Sequence, residues 1–128
     1  MDWKEYLEIS DENLDDLRLV GYSYIKQGCF DIAIVFFDAL VILNPESSYD
    51  LQTLGSLYLQ KGKYVNSLKY LDKAIDLDPN NFFAMLNRAR ALLSIGYVKQ
   101  GLNQTRSLIT CKDKIIAEQA TALIEAYS

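Results

Sequence analysis

Glycine and proline recur in this chain at a fixed spacing of 34 residues. The repeated landmarks are Gly21 and Gly55, Gly28 and Gly62, Pro45 and Pro79, and then Gly96, which lies 34 residues beyond Gly62. A fixed period of this length is typical of arrays of short helical units, in which each unit buries its apolar face against its neighbours. The spacing therefore predicts a stack in which one helical hairpin occurs about three times.

Apolar residues inside each unit are spaced by three and four positions, which is typical of amphipathic helices. The first unit carries two such stripes, Leu17, Val20, Gly21 and Tyr24, then Phe30, Ala33, Ile34, Phe37, Leu40 and Val41. The earlier glycine of a unit lacks a Cβ atom and lets the two helices approach closely. The later glycine ends the first helix, and the proline prevents the second helix from continuing.

The third unit departs from this pattern. Arg88, Gly101 and Thr105 occupy positions where apolar residues are expected, so we predict that this copy is the weakest. Beyond it, a last amphipathic stripe predicts a helix that covers the open end of the stack. The stripe comprises Ile115, Ile116, Ala120, Leu123 and Tyr127.

The composition is typical of a folded protein in aqueous surroundings, because hydrophobic residues make up 50% and charged residues 23% of the 128 positions. The longest apolar run, 32–43, is interrupted by Asp38 and is too short to span a bilayer, and the first residues lack the order of a signal peptide. We therefore expect a cytoplasmic protein without stable membrane insertion. The net charge is −4 and no basic stripe predicts nucleic-acid binding. Acidic residues are concentrated in 1–16, which suits a helix N-terminus or a docking surface for a basic partner.

Few residues are available for catalysis. The chain contains no histidine, and Cys29 and Cys111 lie far apart in sequence without a CxxC pair. The sequence also has no phosphate-binding loop and no clustered carboxylate pair. We therefore expect that the protein is not an enzyme and uses no cofactor and no metal ion.

The units resemble the tetratricopeptide repeat, a 34-residue helical pattern. The matching residues are Val20, Gly21, Tyr24, Ala33, Phe37, Leu40 and Pro45 in the first copy, and Leu54, Gly55, Tyr58, Ser67, Leu71, Ala74 and Pro79 in the second. Leu40 and Ser67 stand where the family pattern has alanine. The resemblance implies an all-α, right-handed superhelix of about three helical hairpins, with an N-terminal segment or short helix at 1–13, repeats at 14–47, 48–81 and 82–112, and a capping helix at 113–128.

In tetratricopeptide arrays the second face of each first helix lines a concave groove. In this chain that face is mostly apolar or aromatic, which is unusual for a surface that meets only water. We therefore predict a groove for an apolar segment of a protein or peptide client. The predicted lining is Tyr22, Ile25, Tyr49, Ser56, Leu59, Phe83, Leu86, Arg90 and Leu93. Two alternatives stay open, because residues of the N-terminal segment such as Trp3 could fill the groove, or tight superhelical curvature could close it.

Charged and polar residues on this face narrow the chemical class of the expected ligand. Stacking of the repeats would align Ile25, Leu59 and Leu93 in an apolar row. Arg90 lies near this row and could bind a backbone carbonyl or a carboxylate, or remain a solvated arginine. Similar repeat proteins that bind the acidic C-termini of heat-shock chaperones use a clamp of lysine, asparagine and arginine side chains. The corresponding positions here are Arg18, Tyr22, Thr53, Phe83 and Asn87, so the clamp is missing. The expected ligand is therefore an apolar segment rather than a charged tail.

The second helix of the first unit has an apolar outer face, formed by Val35, Phe36, Ala39 and Ile42. The equivalent positions of the next unit are Lys69, Tyr70, Lys73 and Asp76, which suit contact with water. An apolar face of this kind needs a cover. The candidates are the N-terminal segment with Trp3, a second copy of the chain in a homodimer, or a small helical co-chaperone.

The first repeat, Gly21-x-x-Tyr24-x-x-x-Gly28-x-Phe30-x-x-Ala33-x-x-x-Phe37-x-x-Leu40, resembles that of the chaperones of bacterial type III secretion, especially the translocator chaperones. The resemblance implies a chaperone that holds a secretion substrate in the bacterial cytosol. The chain is shorter at both ends than is usual for translocator chaperones, so a needle-subunit chaperone that works with a second small helical protein is an alternative. Outside this family, the alternative is a general scaffold or adaptor for assembly of a protein complex.

Overall fold

The computed structural model describes residues 1–127, which form eight α-helices and no strand. The all-α fold class predicted from the sequence is confirmed. The helices are α1 (Trp3–Tyr6), α2 (Asp11–Lys26), α3 (Phe30–Leu43), α4 (Ser48–Gln60), α5 (Tyr64–Leu77), α6 (Phe82–Ser94), α7 (Val98–Leu108) and α8 (Lys114–Ala126).

The helices from α2 to α7 pack as three hairpins, α2 with α3, α4 with α5, and α6 with α7. Consecutive hairpins stack because α3 packs on α4 and α5 packs on α6, and α8 then covers α7 and part of α6. The buried core runs along this stack and takes residues from neighbouring hairpins at each level. Its largest fully buried apolar side chains are Leu14, Phe37, Leu40, Leu54, Leu71, Leu86 and Leu108.

Three glycines at the 34-residue period end the first helix of each hairpin. Gly28, Gly62 and Gly96 have φ values of 76°, 75° and 94°, in the left-handed region where a Cβ atom is unfavourable. At each turn the residue after the glycine donates its backbone N–H to a carbonyl near the end of the helix, at 2.9 Å in all three turns. The same helix-ending turn therefore recurs every 34 residues, which is the period of the sequence.

The two helices of the second hairpin are in close contact at Gly55. A Cβ atom added to Gly55 would lie 2.7 Å from Cγ and Cδ2 of Leu71, and 3.3 Å from its backbone nitrogen. The Ser67 hydroxyl, at a position where the family pattern has alanine, donates a hydrogen bond of 2.8 Å to the Gly55 carbonyl oxygen. This polar contact holds α5 against α4 inside the core.

The third hairpin achieves the same closeness with the glycine on its other helix. A Cβ atom added to Gly101 would lie 2.7 Å from Cγ of Leu93, and the buried Thr105 hydroxyl donates to the Gly101 carbonyl oxygen at 2.7 Å. Arg88 extends to Asp72 of the preceding hairpin and to Gln104, at 2.6 and 3.0 Å. The polar residues that break the apolar pattern are therefore structural parts of a well-packed third hairpin.

A buried ion pair joins the first hairpin to the second. No Cα atoms of α2 and α4 lie within 8 Å of each other, whereas Cα atoms of α4 and α6 do. Nε and Nη2 of Arg18 cross the wider gap and donate to the two carboxylate oxygens of Asp50, each at 2.7 Å. Asp50 is fully buried, and its hydrogen bonds raise the pKa of the Arg18 guanidinium above its usual range.

We expect Gly55→Leu to lower the free energy of unfolding by about 3 kcal/mol or more, because the new side chain would overlap Leu71. Urea denaturation followed by circular dichroism measures this change. Gln60→Leu is the matched control, since it places leucine at an exposed position of the same helix and should change stability by about 0.5 kcal/mol or less. Equal stability of the Gly55→Leu variant and the wild type would contradict the close contact.

We expect Asp50→Ala to lower the free energy of unfolding by about 3 kcal/mol, because it leaves Arg18 partly buried without its main partner. The double variant Arg18→Leu, Asp50→Ala should be less destabilised than the single variant, since the only charge then left unpaired within this ion-pair cluster is that of the exposed Asp15. Removal of Asp31, which pairs with Lys61 at the surface, serves as the control and should hardly move the urea midpoint. A harmless Asp50→Ala substitution would show that the ion pair does not hold the two hairpins together.

Candidate functional site

A cavity of about 580 Å³ lies between α4, α6 and α8. It brings together five of the predicted groove residues, Ser56, Leu59, Phe83, Arg90 and Leu93. The remaining lining residues are Gln60, Tyr64, Asn87, Ser94, Leu123 and Tyr127. We call this site the cavity.

Helical spacing places the lining of α6 on one face. Phe83, Asn87, Arg90 and Ser94 follow one another at intervals of four, three and four residues, so their side chains project from the same side of the helix. Asn87 is buried, and its Nδ2 donates to the Ser56 hydroxyl at 2.7 Å. The Ser56 hydroxyl in turn donates to the Gln52 carbonyl oxygen at 2.8 Å. This chain of hydrogen bonds fixes α6 against α4 along one side of the cavity.

Apolar side chains supply most of the remaining wall. Phe83 is 42% exposed and Leu59 is half-buried, so both present apolar surface to the cavity. Leu93 is only 5% exposed, because it also packs against Gly101 of α7. A charge placed at Leu93 would therefore disturb the core, whereas a charge at Leu59 or Phe83 would mainly change the cavity.

The other predicted groove residues lie elsewhere. Leu86 is fully buried with Leu108, Ile116 and Ala120, so the prediction that Leu86 lines the groove is wrong. Tyr22, Ile25 and Tyr49 lie outside the lining of the cavity. Tyr22 packs edge-on against Phe37, with ring centroids 5.4 Å apart, and Ile25 packs on the same core cluster.

The gap between α2 and α4 is filled by long side chains. Tyr22 and Tyr49 have ring centroids 6.1 Å apart, and the Tyr22 hydroxyl lies 3.5 Å from the Thr53 hydroxyl oxygen. Burial raises the pKa of the Tyr22 hydroxyl above its usual range. Of the predicted apolar row, Leu59 and Leu93 therefore line the cavity, whereas Ile25 of the first hairpin does not.

Helix α8 contributes a wall that the sequence did not assign to the groove. Leu123 and Tyr127 were identified as part of an amphipathic stripe that covers the end of the stack, and the structure places both along the cavity. The stripe anchors α8 through Ile116 and Ala120, which are buried against α6 and α7. The spacing of the stripe indicated burial, but only the packing of α8 shows which residues border the cavity.

The N-terminal segment lies away from the cavity. Helix α1 contacts α3, and Trp3 lines a second cavity of about 350 Å³ together with Ile42 and Pro45. Tyr6 and Leu7 are exposed. The alternative in which this segment fills the groove is therefore not what the structure shows.

The predicted outer face of α3 is partly open. Val35 and Ile42 are 65% and 60% exposed, whereas Phe36 and Ala39 are half-buried. The Phe36 ring stacks on Tyr24 with centroids 5.7 Å apart. Phe36 thus belongs mainly to the packing of the first hairpin, and Val35 and Ile42 are the members of this face that a partner could cover.

Comparison with known families identifies the repeats. Two family models described as tetratricopeptide repeat match the chain, one over residues 51–81 and the other over residues 70–106. Residues 51–106 therefore match the tetratricopeptide repeat, over parts of the second and third repeats that the sequence predicted. A search of curated protein sequences finds no significant match.

Several solved structures share this fold. The type III secretion translocator chaperone SycD of Yersinia enterocolitica has a TM-score of 0.84 at 23% identity, over 96% of each chain. PcrH in complex with the chaperone binding region of PopD has a TM-score of 0.84 at 24% identity, over 92% of each chain, and PcrH comes from Pseudomonas aeruginosa. The first repeat domain of Spaghetti (RPAP3), bound to an HSP90 peptide, has a TM-score of 0.79 at 16% identity, over 93% of this chain and 96% of that chain.

These similarities establish a tetratricopeptide-type helical fold shared with translocator chaperones. No helix within residues 1–127 has both the length and the apolar character needed to cross a membrane.

Proposed function

We propose that this protein is a chaperone that binds a type III secretion substrate, a translocator or a needle subunit, and holds it in the bacterial cytosol. The observation that carries the proposal is the cavity between α4, α6 and α8, whose wall combines the apolar side chains of Leu59, Phe83, Leu93 and Leu123 with polar ones. Its role is binding rather than catalysis.

The free energy of binding expected for the cavity suits a protein that holds a client and later releases it. Burial of a large apolar side chain contributes about 1.5 to 3 kcal/mol, and ordering of a disordered client segment costs about 2 to 5 kcal/mol or more. Two or three client side chains against Leu59, Phe83 and Leu123 therefore give a net affinity that is useful and still reversible. A chaperone that must hand its client to an export machine needs such reversibility.

Complexes of structural neighbours support a peptide as the occupant. PcrH has been solved with the chaperone binding region of PopD, and SycD with a peptide of the translocator YopD. By analogy, we propose that an apolar client segment occupies the cavity of this chain.

A charged C-terminal tail of the heat-shock type is disfavoured. The RPAP3 domain is bound to the HSP90 peptide SRMEEVD, which is acidic. In this chain the arginine at the first clamp position, Arg18, is already engaged by Asp15 and Asp50. Its guanidinium is therefore not available for a peptide carboxylate.

A general scaffold that joins two proteins through the same cavity is the alternative function. The two functions differ in the fate of the partner. A chaperone client should be insoluble or degraded when it is produced alone, whereas the partner of a scaffold should remain soluble. Co-expression with the proteins encoded beside this chain, followed by measurement of their soluble fraction, distinguishes the two.

We expect Leu59→Asp with Phe83→Asp to weaken peptide binding by about a hundredfold or more, because two apolar contacts of about 1.5 kcal/mol or more are lost. Peptides are first selected on the wild type from a displayed random library, and their affinities are measured by fluorescence anisotropy. Helix content should remain nearly unchanged.

Val65→Asp is the matched control, since Val65 is 73% exposed and does not line the cavity. It should leave peptide affinity unaltered. Selected peptides that bind the double variant as tightly as the wild type would place the binding site outside the cavity.

We also propose that a second copy of the chain covers Val35 and Ile42 in a homodimer, with Trp3 at the edge of the interface. The exposure of both side chains supports this proposal, as does the solution of SycD in a form described as an alternative dimer. A small helical co-chaperone is the other candidate for the same face.

We expect Val35→Glu with Ile42→Glu to convert a dimer into a monomer with little change in helix content. Sedimentation of the wild type and the variant at equal concentration measures this. Val65→Glu should leave the dimer intact. A wild type that sediments as a monomer at high concentration would contradict the homodimer, and its recovery as a one-to-one complex with a small helical protein would assign the face to a co-chaperone.

A further inference from the structure

The cavity contains one charged side chain, which has no acidic partner within residues 1–127. Arg90 is the only charged residue among the described residues that line the cavity. Its guanidinium makes one hydrogen bond to residues 1–127, from Nη1 to the Asn87 amide oxygen at 2.9 Å. Burial lowers the pKa of the Arg90 guanidinium, because the charged form is partly removed from water.

The other arginines of the chain are placed differently. Arg18 binds Asp15 and Asp50, and Arg88 binds Asp72. Arg106 is exposed to water and donates to Asn103 at 3.2 Å. Within residues 1–127, Arg90 is therefore the half-buried arginine that pairs with no carboxylate.

The free edge of Arg90 has the geometry that carboxylates prefer. Nη1 is engaged by Asn87, which leaves Nε and Nη2 on one side of the planar guanidinium. The same edge of Arg18 binds both oxygens of Asp50, at 2.7 Å each. A carboxylate can accept two parallel hydrogen bonds from such an edge, whereas a backbone carbonyl offers a single oxygen.

A client segment in the cavity would make a negatively charged partner for Arg90 more favourable. A client segment that packs on Leu93 and Leu123 would remove more water from Arg90, and burial of an uncompensated charge is costly. A neutral carbonyl would leave that charge unbalanced. A carboxylate would neutralise it, and the attraction would be stronger in the apolar surroundings than in water.

We propose that Arg90 determines the specificity of the cavity by binding an aspartate or glutamate side chain of the client, flanked in the client by apolar residues. The inference rests on the proposed function, because it requires a peptide in the cavity. It defines the client segment more narrowly, as an apolar stretch that contains one acid rather than an acidic tail.

The test uses the wild-type chain and a library of displayed random peptides that carry no free C-terminus. Peptides whose binding is lost with Leu59→Asp and Phe83→Asp are kept as cavity binders. We expect these peptides to be enriched in a single acid among apolar residues. The best binder is then synthesised as a C-terminal amide with glutamate, glutamine or lysine at the acidic position.

On the wild type, we expect the change from glutamate to glutamine in the peptide to weaken binding by about tenfold or more, since a charge-assisted hydrogen bond is lost. On Arg90→Gln the same change should have little effect, and on Arg90→Glu the lysine peptide should bind better than the glutamate peptide. Arg106→Gln, which removes a charge outside the cavity, should behave as the wild type. Higher salt should weaken the glutamate peptide more than the glutamine peptide.

The glutamate and glutamine peptides are compared on the wild type, and circular dichroism of the Leu59→Asp, Phe83→Asp variant checks that the selection of cavity binders does not reflect unfolding. Cavity binders without enriched acids, or an equal loss from glutamate to glutamine on the wild type and on Arg90→Gln, would overturn the role of Arg90 and leave the proposed function standing. A library that yields no cavity binder would overturn both.

Discussion

The fold depends on close contact between the two helices of each hairpin, and a residue without a Cβ atom makes that contact possible. In the second hairpin the glycine is Gly55 on α4, and Leu71 of α5 lies against it. In the third hairpin the roles are exchanged, because Gly101 on α7 receives Leu93 of α6. The constraint is thus the short distance between the helices rather than a fixed position for glycine. Once Leu93 is directed toward α7, the adjacent face of α6, with Phe83 and Arg90, is left to border the cavity.

Polar contacts between first helices then decide where the stack is open. Asn87 and Ser56 hold α6 against α4, while Arg18 and Asp50 span the wider gap between α2 and α4. A buried ion pair is stabilising only when both partners are well satisfied, so this junction tolerates little change. Aromatic side chains occupy the rest of that gap, and the cavity of about 580 Å³ lies between α4, α6 and α8. A client is therefore proposed to bind near the C-terminal half of the chain.

The same structure explains which of the predicted groove residues lie together. Five predicted residues lie together around the cavity, because positions three and four apart on one helix share a face whatever the fold does elsewhere. Leu86 lies beside that face and is buried once α8 packs over α6 and α7, which one helix viewed alone cannot reveal. The charge of Arg90 could be read from the sequence, but its lack of a carboxylate partner within residues 1–127 could not. The pairing of Arg18 with Asp50 and of Arg88 with Asp72 likewise depends on which helices pack together.

The sequence by itself determined the repeat, the helices and their ends. Periodic apolar residues, left-handed glycine turns and helix-stopping prolines act over a few neighbouring positions, so their effect can be derived from spacing. Tertiary structure alone decided the size of the cavity, its wall in α8, and the position of α1 beside α3 instead of in the groove. These features depend on contacts between residues far apart in sequence, where small differences in helix separation determine whether a side chain is buried or open. Local patterns fix which face of a helix is apolar, and only the packed stack fixes what that face meets.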